Sequence, residues 1–466
     1  MSHVFTRWHC DGGHDGGVAF ITRLISSRQR KQRRSVAAIA AGESRCRFLK
    51  AIGPVLVLLS ADSGAASAES LYATVAERLS LMRDVAAYKW LHELPVEDRQ
   101  RELRVIDSAR VQALQAGIRP ATAEVFFAQQ IAAAKDIQRF WFVQWANGAG
   151  PTAAPNLQSD LRPRLLELGR QIVSGLGVVR THDKTLFREQ VRLDGLEQQR
   201  ITQLYRSLIN VTRYRDRLEQ IVETGRLRVG TTGDYAPFSH SPAHTASSQP
   251  LPGGPSSTER EVPNTAFTGI DIVLAKDLAQ SLSVEIEFVQ TSWQTLTRDL
   301  LDGRFDIAMS GVSRTLERAS VGHLSVPYYA GGKMPIARCS DGERFSSLSA
   351  IDRPGVRVIV NPGGTNERYV DDHLHHATKV LHPDNRTIFS ALIDGKADLM
   401  ITDRVEVRWQ VRNNPELCST MKQTLTYQEK AYFMPADPVL KAYVDTWLSL
   451  RLADGTVSAL LEQYLQ

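Results

Sequence analysis

"LRVGTTGDYAPFSH", residues 227–240, decides the fold of the larger part of the chain. Leu227–Thr231 is a β-rich run that ends in Thr-Gly-Asp, a sequence that turns the chain sharply. From there strand and helix patterns alternate: helix 271–282, strand 284–290, helix 293–303, strand 306–309, with a second alternation over 356–403. Such alternation predicts an α/β architecture with mostly parallel sheets, and its length suits two lobes rather than one sheet. His240–Asn264 is rich in Ser, Pro and Gly and reads as a mobile surface insertion between elements.

Upstream the pattern is different. Leu71, Val75, Leu79, Met82, Val85 and Ala86 recur at helical spacing until Pro95. A second helix is expected over 97–116, ending at Gly117, and a third from Pro120 to Asn147-Gly148. After the loop GAGPTAAP at 148–155, helical stretches are expected over 157–176 and 184–223. No strand alternation appears in 69–223, so the fold class is two-domain: an all-α domain, then an α/β two-lobed domain at 226–466, joined near Thr224-Gly225.

The 466 residues carry 56 Lys/Arg against 51 Asp/Glu, but the excess is local. Residues 1–68 hold ten Lys/Arg and four Asp/Glu, leaving 46 against 47 in the rest, so the body of the protein has no basic footprint for nucleic acid. Within 1–68, Arg45, Arg47 and Lys50 precede the apolar run Ala51–Ala61, too short to span a bilayer, and then Ala66-Ser67-Ala68. This reads as a cleaved export signal with the cut after Ala68, giving a periplasmic protein with no stable membrane anchor. Residues 1–44 exceed the usual charged region of such a leader, and no fold is read from them. Two cysteines follow the leader, Cys339 and Cys418; an even pair in an exported chain suggests one disulfide. No Cys-x-x-Cys or clustered His/Cys set suggests a metal, and His373, His375 and His376 read as a solvated helix face.

In the helical half, Arg78 and Lys89 are about three turns apart and share a face with Met82 and Val85. Cations on a core-facing stripe are costly unless an anion meets them. Gln130, Ala134 and Gln138 line one face of the third helix. The stretches "AERLSLMRDVAAYKWLHELPVEDRQRE" (76–102) and "VFFAQQIAAAKDIQ" (125–138) resemble the exported, all-helical chorismate mutases. That resemblance implies that Arg78 and Lys89 bind substrate carboxylate and ether oxygen, that Arg101 with Asp98 beside it joins them, and that Gln138 donates to the ether oxygen. It aligns a last carboxylate-binding Arg with Arg170, and it puts Ala134 where a hydrogen-bonding side chain is common. The chemistry agrees: rearranging chorismate to prephenate needs no nucleophile, metal or cofactor, only a site that folds a dianion and stabilises charge on its ether oxygen.

In the second half, "FTGIDIVLAKDLAQSL" (267–282), "DGRFDIAMSGVSRTLERASVGHLSVPYY" (302–329), "NPGGTNE" (361–367) and "GKADLMITD" (395–403) follow the order of periplasmic amino-acid-binding proteins. This implies that Arg318 grips a ligand carboxylate, assisted by Ser313 and the backbone at Gly311. Thr365 contacts the ligand, Asp403 stands where an α-amino group is usually met, and Tyr235, Phe238 and Trp293 wall the ring, with Asp234 beside them. With "HPDN" (382–385), these pieces look like cyclohexadienyl dehydratases, which convert prephenate to phenylpyruvate and arogenate to phenylalanine. The resemblance casts Glu367 as the general acid that protonates the leaving hydroxyl. The product of the first half is then the substrate of the second. The expectation is an exported bifunctional enzyme acting on chorismate and on prephenate or arogenate, with no cofactor, no nucleic-acid partner and the oligomeric state left open. The rival class is an amino-acid-type solute-binding protein of a transporter, fused to a helical mutase domain.

Overall fold

A computed structural model of the protein describes residues 63–241 and 267–465. The apolar run of the leader and most of the 240–264 insertion lie outside the described residues. The helical half begins with α1 (Ser63–Ser80) and α2 (Met82–Leu91), interrupted at Leu81, followed by α3 (Arg99–Gln115) and α4 (Pro120–Ala146). A π-helical turn at Leu157–Leu161 leads into α5 (Arg162–Val178), then α6 (Lys184–Gln190), α7 (Gln198–Ile209) and α8 (Arg217–Thr224). The starts follow capping chemistry. Asp98 accepts from the Arg101 amide at 3.0 Å, Pro120 opens α4, and Asp183 and Asp216 cap α6 and α8. Tyr72, Leu79, Phe126, Ile172, Phe187 and Leu204 form the buried core; full burial of each large apolar side chain stabilises by about 1.5–3 kcal/mol. Ala68 is buried in the same core, within α1, so the expected cleavage point falls inside a helix.

The sequence reading takes 184–223 as one helical stretch; the structure divides it into α6, α7 and α8. Gly195, at φ +83°, turns the chain against Phe140 where a Cβ would lie 2.5 Å from the Phe140 Cβ. The junction also moves. Ile221 of α8 belongs to the core of the first α/β lobe, Asp437 accepts from the Arg217 amide at 2.7 Å, and Arg217 pairs with Asp306 at 3.3 Å. The second domain's packing therefore starts at Arg217, ahead of Thr224-Gly225. Gln220 of α8 also donates to the Leu114 carbonyl of α3 at 2.9 Å.

The α/β half contains strands β1 (Arg226–Thr231), β2 (Asp234–Tyr235), β3 (Ser239–His240), β4 (Glu285–Gln290), β5 (Ile307–Ala308), β6 (His323–Leu324), β7 (Tyr329–Gly331), β8 (Lys333–Arg338), β9 (Arg357–Val360), β10 (Thr378–Leu381), β11 (Leu399–Asp403), β12 (Leu417–Ser419), β13 (Gln428–Lys430) and β14 (Phe433–Met434). The first lobe is a five-stranded sheet of order β4-β1-β5-β14-β6, parallel except where β14 runs antiparallel to β5 and β6. The second has order β10-β9-β11-β8-β12, with β8 antiparallel to β11 and β12. The sheets are thus mixed, each with a parallel half. The chain crosses between lobes through β7 and β13, which pair antiparallel and form a two-strand hinge. Cys339, after β8, and Cys418, in β12, form a disulfide. His375 and His376 lie past the end of their helix, where Asp352 accepts from both amides, rather than on a helix face.

Candidate active sites

In the helical half α1–α5 enclose a cavity of about 410 Å³. Arg78 enters from α1, Lys89 from α2, Arg101 from α3 and Gln138 from α4, as the sequence suggests, and Asp98 lies on the wall. Arg78 is buried beside Gln130, to whose Oε1 it donates at 3.0 Å. Burial, with Arg101 nearby, lowers its guanidinium to about 10. Burial also lowers the Lys89 ammonium, against the pull of Asp98 and Glu102. Lys89 donates to the Val96 carbonyl at 2.6 Å. Gln138 spends its amide N–H on the Ala134 carbonyl at 3.0 Å, the backbone of the position that carries no polar side chain. Among the described residues, Arg78 Nε, Gln130 Nε2 and Gln138 Oε1 are buried without a hydrogen-bond partner. Buried polar atoms of this kind suit a polar ligand.

Arg170 does not join this group. Its side chain is 65% exposed and pairs with Glu167 one turn away. The cation on the wall from α5 is Arg162, two turns nearer the helix start. Arg101 feels it: after burial, Arg162 is the next cause lowering its guanidinium. The wall thus gathers Arg78, Lys89, Arg101 and Arg162, while Lys135 is neutralised by Glu102 at 3.0 Å. Gathering cations in an enclosed apolar pocket favours an anion of more than one charge.

The second site lies between the lobes, at the carboxyl ends of the parallel strands, where open α/β sheets hold ligands. Its free volume is about 20 Å³. Tyr235, Trp293, Gly311, Ser313 and Arg318 face it from the first lobe, Thr365 and Asp403 from the second. Arg318 donates to the Ser313 carbonyl at 2.8 Å, and burial lowers its guanidinium to about 10. Gly311, at φ +64°, must be glycine, because a Cβ would lie 2.4 Å from Phe238 and 2.5 Å from Tyr235. Phe238 is fully buried behind Tyr235 rather than on the cleft wall. Asp234 also stands back from the cleft: it accepts from Trp293 Nε1 at 3.1 Å, and burial raises its carboxyl to about 6.

Two lysines absent from the sequence reading dominate the charge. Lys333, at the start of β8, is fully buried and donates to Asp403 at 2.8 Å, to Thr365 at 2.9 Å and to Asn366. Lys430, at the end of β13, donates to Asp403 at 2.5 Å and to Ser313 at 3.0 Å, with the Tyr235 ring beneath it. Tyr235 also donates its hydroxyl to Asp403. The signal for both lysines is local: each stands beside an apolar run, "MPIA" or "AYFM", where a lone cation needs a partner.

Glu367 is not in the cleft. It lies in the first turn of the helix Thr365–His373, where its carboxylate accepts from the Gly363 amide at 2.8 Å and pairs with Lys379 at 3.2 Å. That is helix N-terminal chemistry, not an acid aimed at a ligand. The carboxyl held protonated at this site is Glu406. It is 1% exposed, and burial raises it to about 8, with the Asp403 charge adding to the rise. Thr402 donates to it, and Asn366 of the cleft wall donates to Thr402 at 3.0 Å, so Glu406 stands one hydrogen-bonded step behind the wall. The sequence reading missed it because a Glu in "TDRVEVRW" has the look of an ordinary helix residue.

Comparison with known proteins agrees with the two-part division. Residues 69–139 match the family model of chorismate mutase type II, and 258–466 that of bacterial extracellular solute-binding proteins, family 3. The chain is 45% identical over 251 residues to a cyclohexadienyl dehydratase of Pseudomonas aeruginosa, covering 54% of this chain and 86% of that protein. It is 39% identical over 97 residues to a secreted chorismate mutase of Yersinia pestis, covering 21% of this chain and 52% of that protein. It is 28% identical over 150 residues to a monofunctional chorismate mutase of Enterobacter agglomerans, covering 31% and 83%. Through its second half the chain belongs to the cyclohexadienyl dehydratase family, built on the solute-binding-protein fold, and it carries a chorismate mutase type II domain ahead of it.

Proposed function

We propose that the protein is a bifunctional enzyme of the periplasm, exported through a leader cut near Ala68, that converts chorismate to prephenate and then decarboxylates and dehydrates prephenate or arogenate. The observation that carries this reading is the pairing of two cation-rich sites on one chain: the product of a mutase is a dianion, and the second cleft is built for an anion. In the first site Arg78, Arg101 and Arg162 hold the two carboxylates of chorismate in the folded conformer, and Lys89 with Gln138 stabilises charge building on the ether oxygen. Gln138 turns from the Ala134 carbonyl to the substrate when it binds.

In the second site Arg318 and Ser313 anchor a carboxylate, and Trp293 and Tyr235 flank the ring. The ring carboxylate leaves as CO₂. Its electron pair enters the ring, the 4-hydroxyl departs, and Glu406, its carboxyl turned from Thr402 into the cleft when substrate binds, gives the proton that makes the leaving group water. Burial keeps Glu406 protonated at neutral pH, which is what an acid catalyst needs. Solvent then returns the proton. The test is to supply prephenate alone, then arogenate alone, to the purified chain and follow phenylpyruvate and phenylalanine. Turnover supports the enzyme; tight amino-acid binding without turnover would favour a transporter component.

A further inference from the structure

Arg78 is a buried cation with no anion beside it. Among the described residues no carboxylate lies within ion-pair distance of it, and the charge that acts on it is another cation, Arg101. On α4, by contrast, Lys135 is paired with Glu102 and Arg139 with Glu97. What meets Arg78 is a neutral group. Gln130, fully buried on α4, accepts from Arg78 Nη1 at 3.0 Å, and the Phe127 ring centre lies 5.8 Å from the guanidinium carbon. This contact takes one corner of the guanidinium and leaves Nε and Nη2, which have no hydrogen-bond partner among the described residues. Those two groups form an edge that meets a carboxylate with parallel hydrogen bonds. As a core residue Gln130 is poorly used. It stands between the buried Phe127 and Ala133 of α4, and its own Nε2 is buried without a partner, which costs free energy. An aliphatic side chain would fill the space more favourably, and a glutamate would pair with Arg78 and cancel its charge.

We propose that Gln130 is a positioning residue of the mutase site: as a neutral acceptor it fixes the orientation of Arg78 and leaves the whole charge of the guanidinium to the substrate dianion. Gln130 is not among the residues that line the cavity, so it acts through Arg78 and not on the substrate. The proposal rests on the reading of this cavity as the chorismate site and adds to it a residue behind the wall. It also accounts for the choice of an amide at a core position: the acceptor must hold a cation without answering its charge.

Two variants of the full chain test it by chorismate loss, with prephenate turnover at the second site as a control for folding. Gln130→Glu keeps the size and the acceptor but adds a charge. It should keep its denaturant midpoint, because the new carboxylate pairs with Arg78, and raise KM for chorismate by about 10–100-fold. A merely structural Gln130 predicts otherwise, a stable variant with wild-type KM. Gln130→Met keeps the volume, leaves the charge of Arg78 and removes the acceptor. It should lower kcat by about tenfold with a smaller change in KM, because the cation is present but no longer aimed. Wild-type KM in a folded Gln130→Glu, or wild-type kcat in a folded Gln130→Met, would overturn the proposal; should either variant not fold, the other decides it. If the wild-type protein leaves chorismate intact, the mutase reading fails. Calorimetry with chorismate then decides the role of Gln130, and equal affinity in wild type and Gln130→Glu would overturn it.

Discussion

Glu406→Gln separates the structural account from the motif-based one. Glutamine keeps the shape of Glu406 and its oxygen for Thr402, but it has no acidic proton. With the carboxyl at about 8, roughly ten molecules are protonated for each ionised one at pH 7, so the acid form is ready in most of the protein. Removing a general acid costs about 10²–10⁴-fold, equivalent to ~3–5 kcal/mol of barrier. Prephenate turnover at saturating substrate should fall by that order, while affinity changes little because Arg318 and Ser313 keep the carboxylate. The sign of the pH dependence follows: the protonated form is the catalyst, so wild-type turnover should hold below pH 8 and fall as pH rises through it, whereas the variant lacks that limb. Glu367→Gln should stay close to wild type, since its carboxylate is engaged by the Gly363 amide and Lys379. Near-wild-type turnover in Glu406→Gln, or a 10²-fold loss in Glu367→Gln, would refute the reasoning.

Other predictions concern the helical half and the junction. The mutase should hold its rate between about pH 5 and 8, because Gln138 does not titrate; Gln138→Glu should make the rate fall as pH rises, and an unaltered profile would remove Gln138 from the site. Arg162→Ala should lower mutase kcat/KM by about 10–100-fold, the worth of a charge-assisted hydrogen bond, whereas Arg170→Ala should leave it unchanged, read by chorismate loss. A piece starting at 212 should unfold at higher denaturant than one starting at 226, because the shorter piece loses Ile221 from its core, worth about 2 kcal/mol or more. Equal midpoints would return the boundary to Thr224-Gly225.

The residues that periodicity could reach were legible. Helical spacing puts Arg78 and Lys89 on one face and Gln138 on the inner face of its helix, the resemblance to chorismate mutases makes them a site, and the strand-helix alternation after Leu227 is enough for two α/β lobes. Arg170 rested on the family resemblance where it weakens after Pro155; in the structure it faces away to pair with Glu167, and Arg162, two turns earlier on α5, reaches the cavity wall. Glu367 failed for a different reason: a Glu in the first turn of a helix satisfies the helix amides whatever the motif around it. Lys333 and Glu406 take their roles from burial within the second lobe, against Asp403 and Thr402, and Lys430 from joining Ser313 of the first lobe to Asp403 of the second, none of which helical or strand spacing reveals. The missing signal was a charged residue beside an apolar run, which is cheap in sequence and expensive in a core.

The central claim is that both reactions belong to one chain. It is tested most directly by incubating the purified protein with chorismate alone and following phenylpyruvate over time. Phenylpyruvate should accumulate after a lag in which prephenate rises and falls, and Glu406→Gln should stop the course at prephenate. Prephenate that builds up in the wild-type protein without ever giving phenylpyruvate would contradict the account.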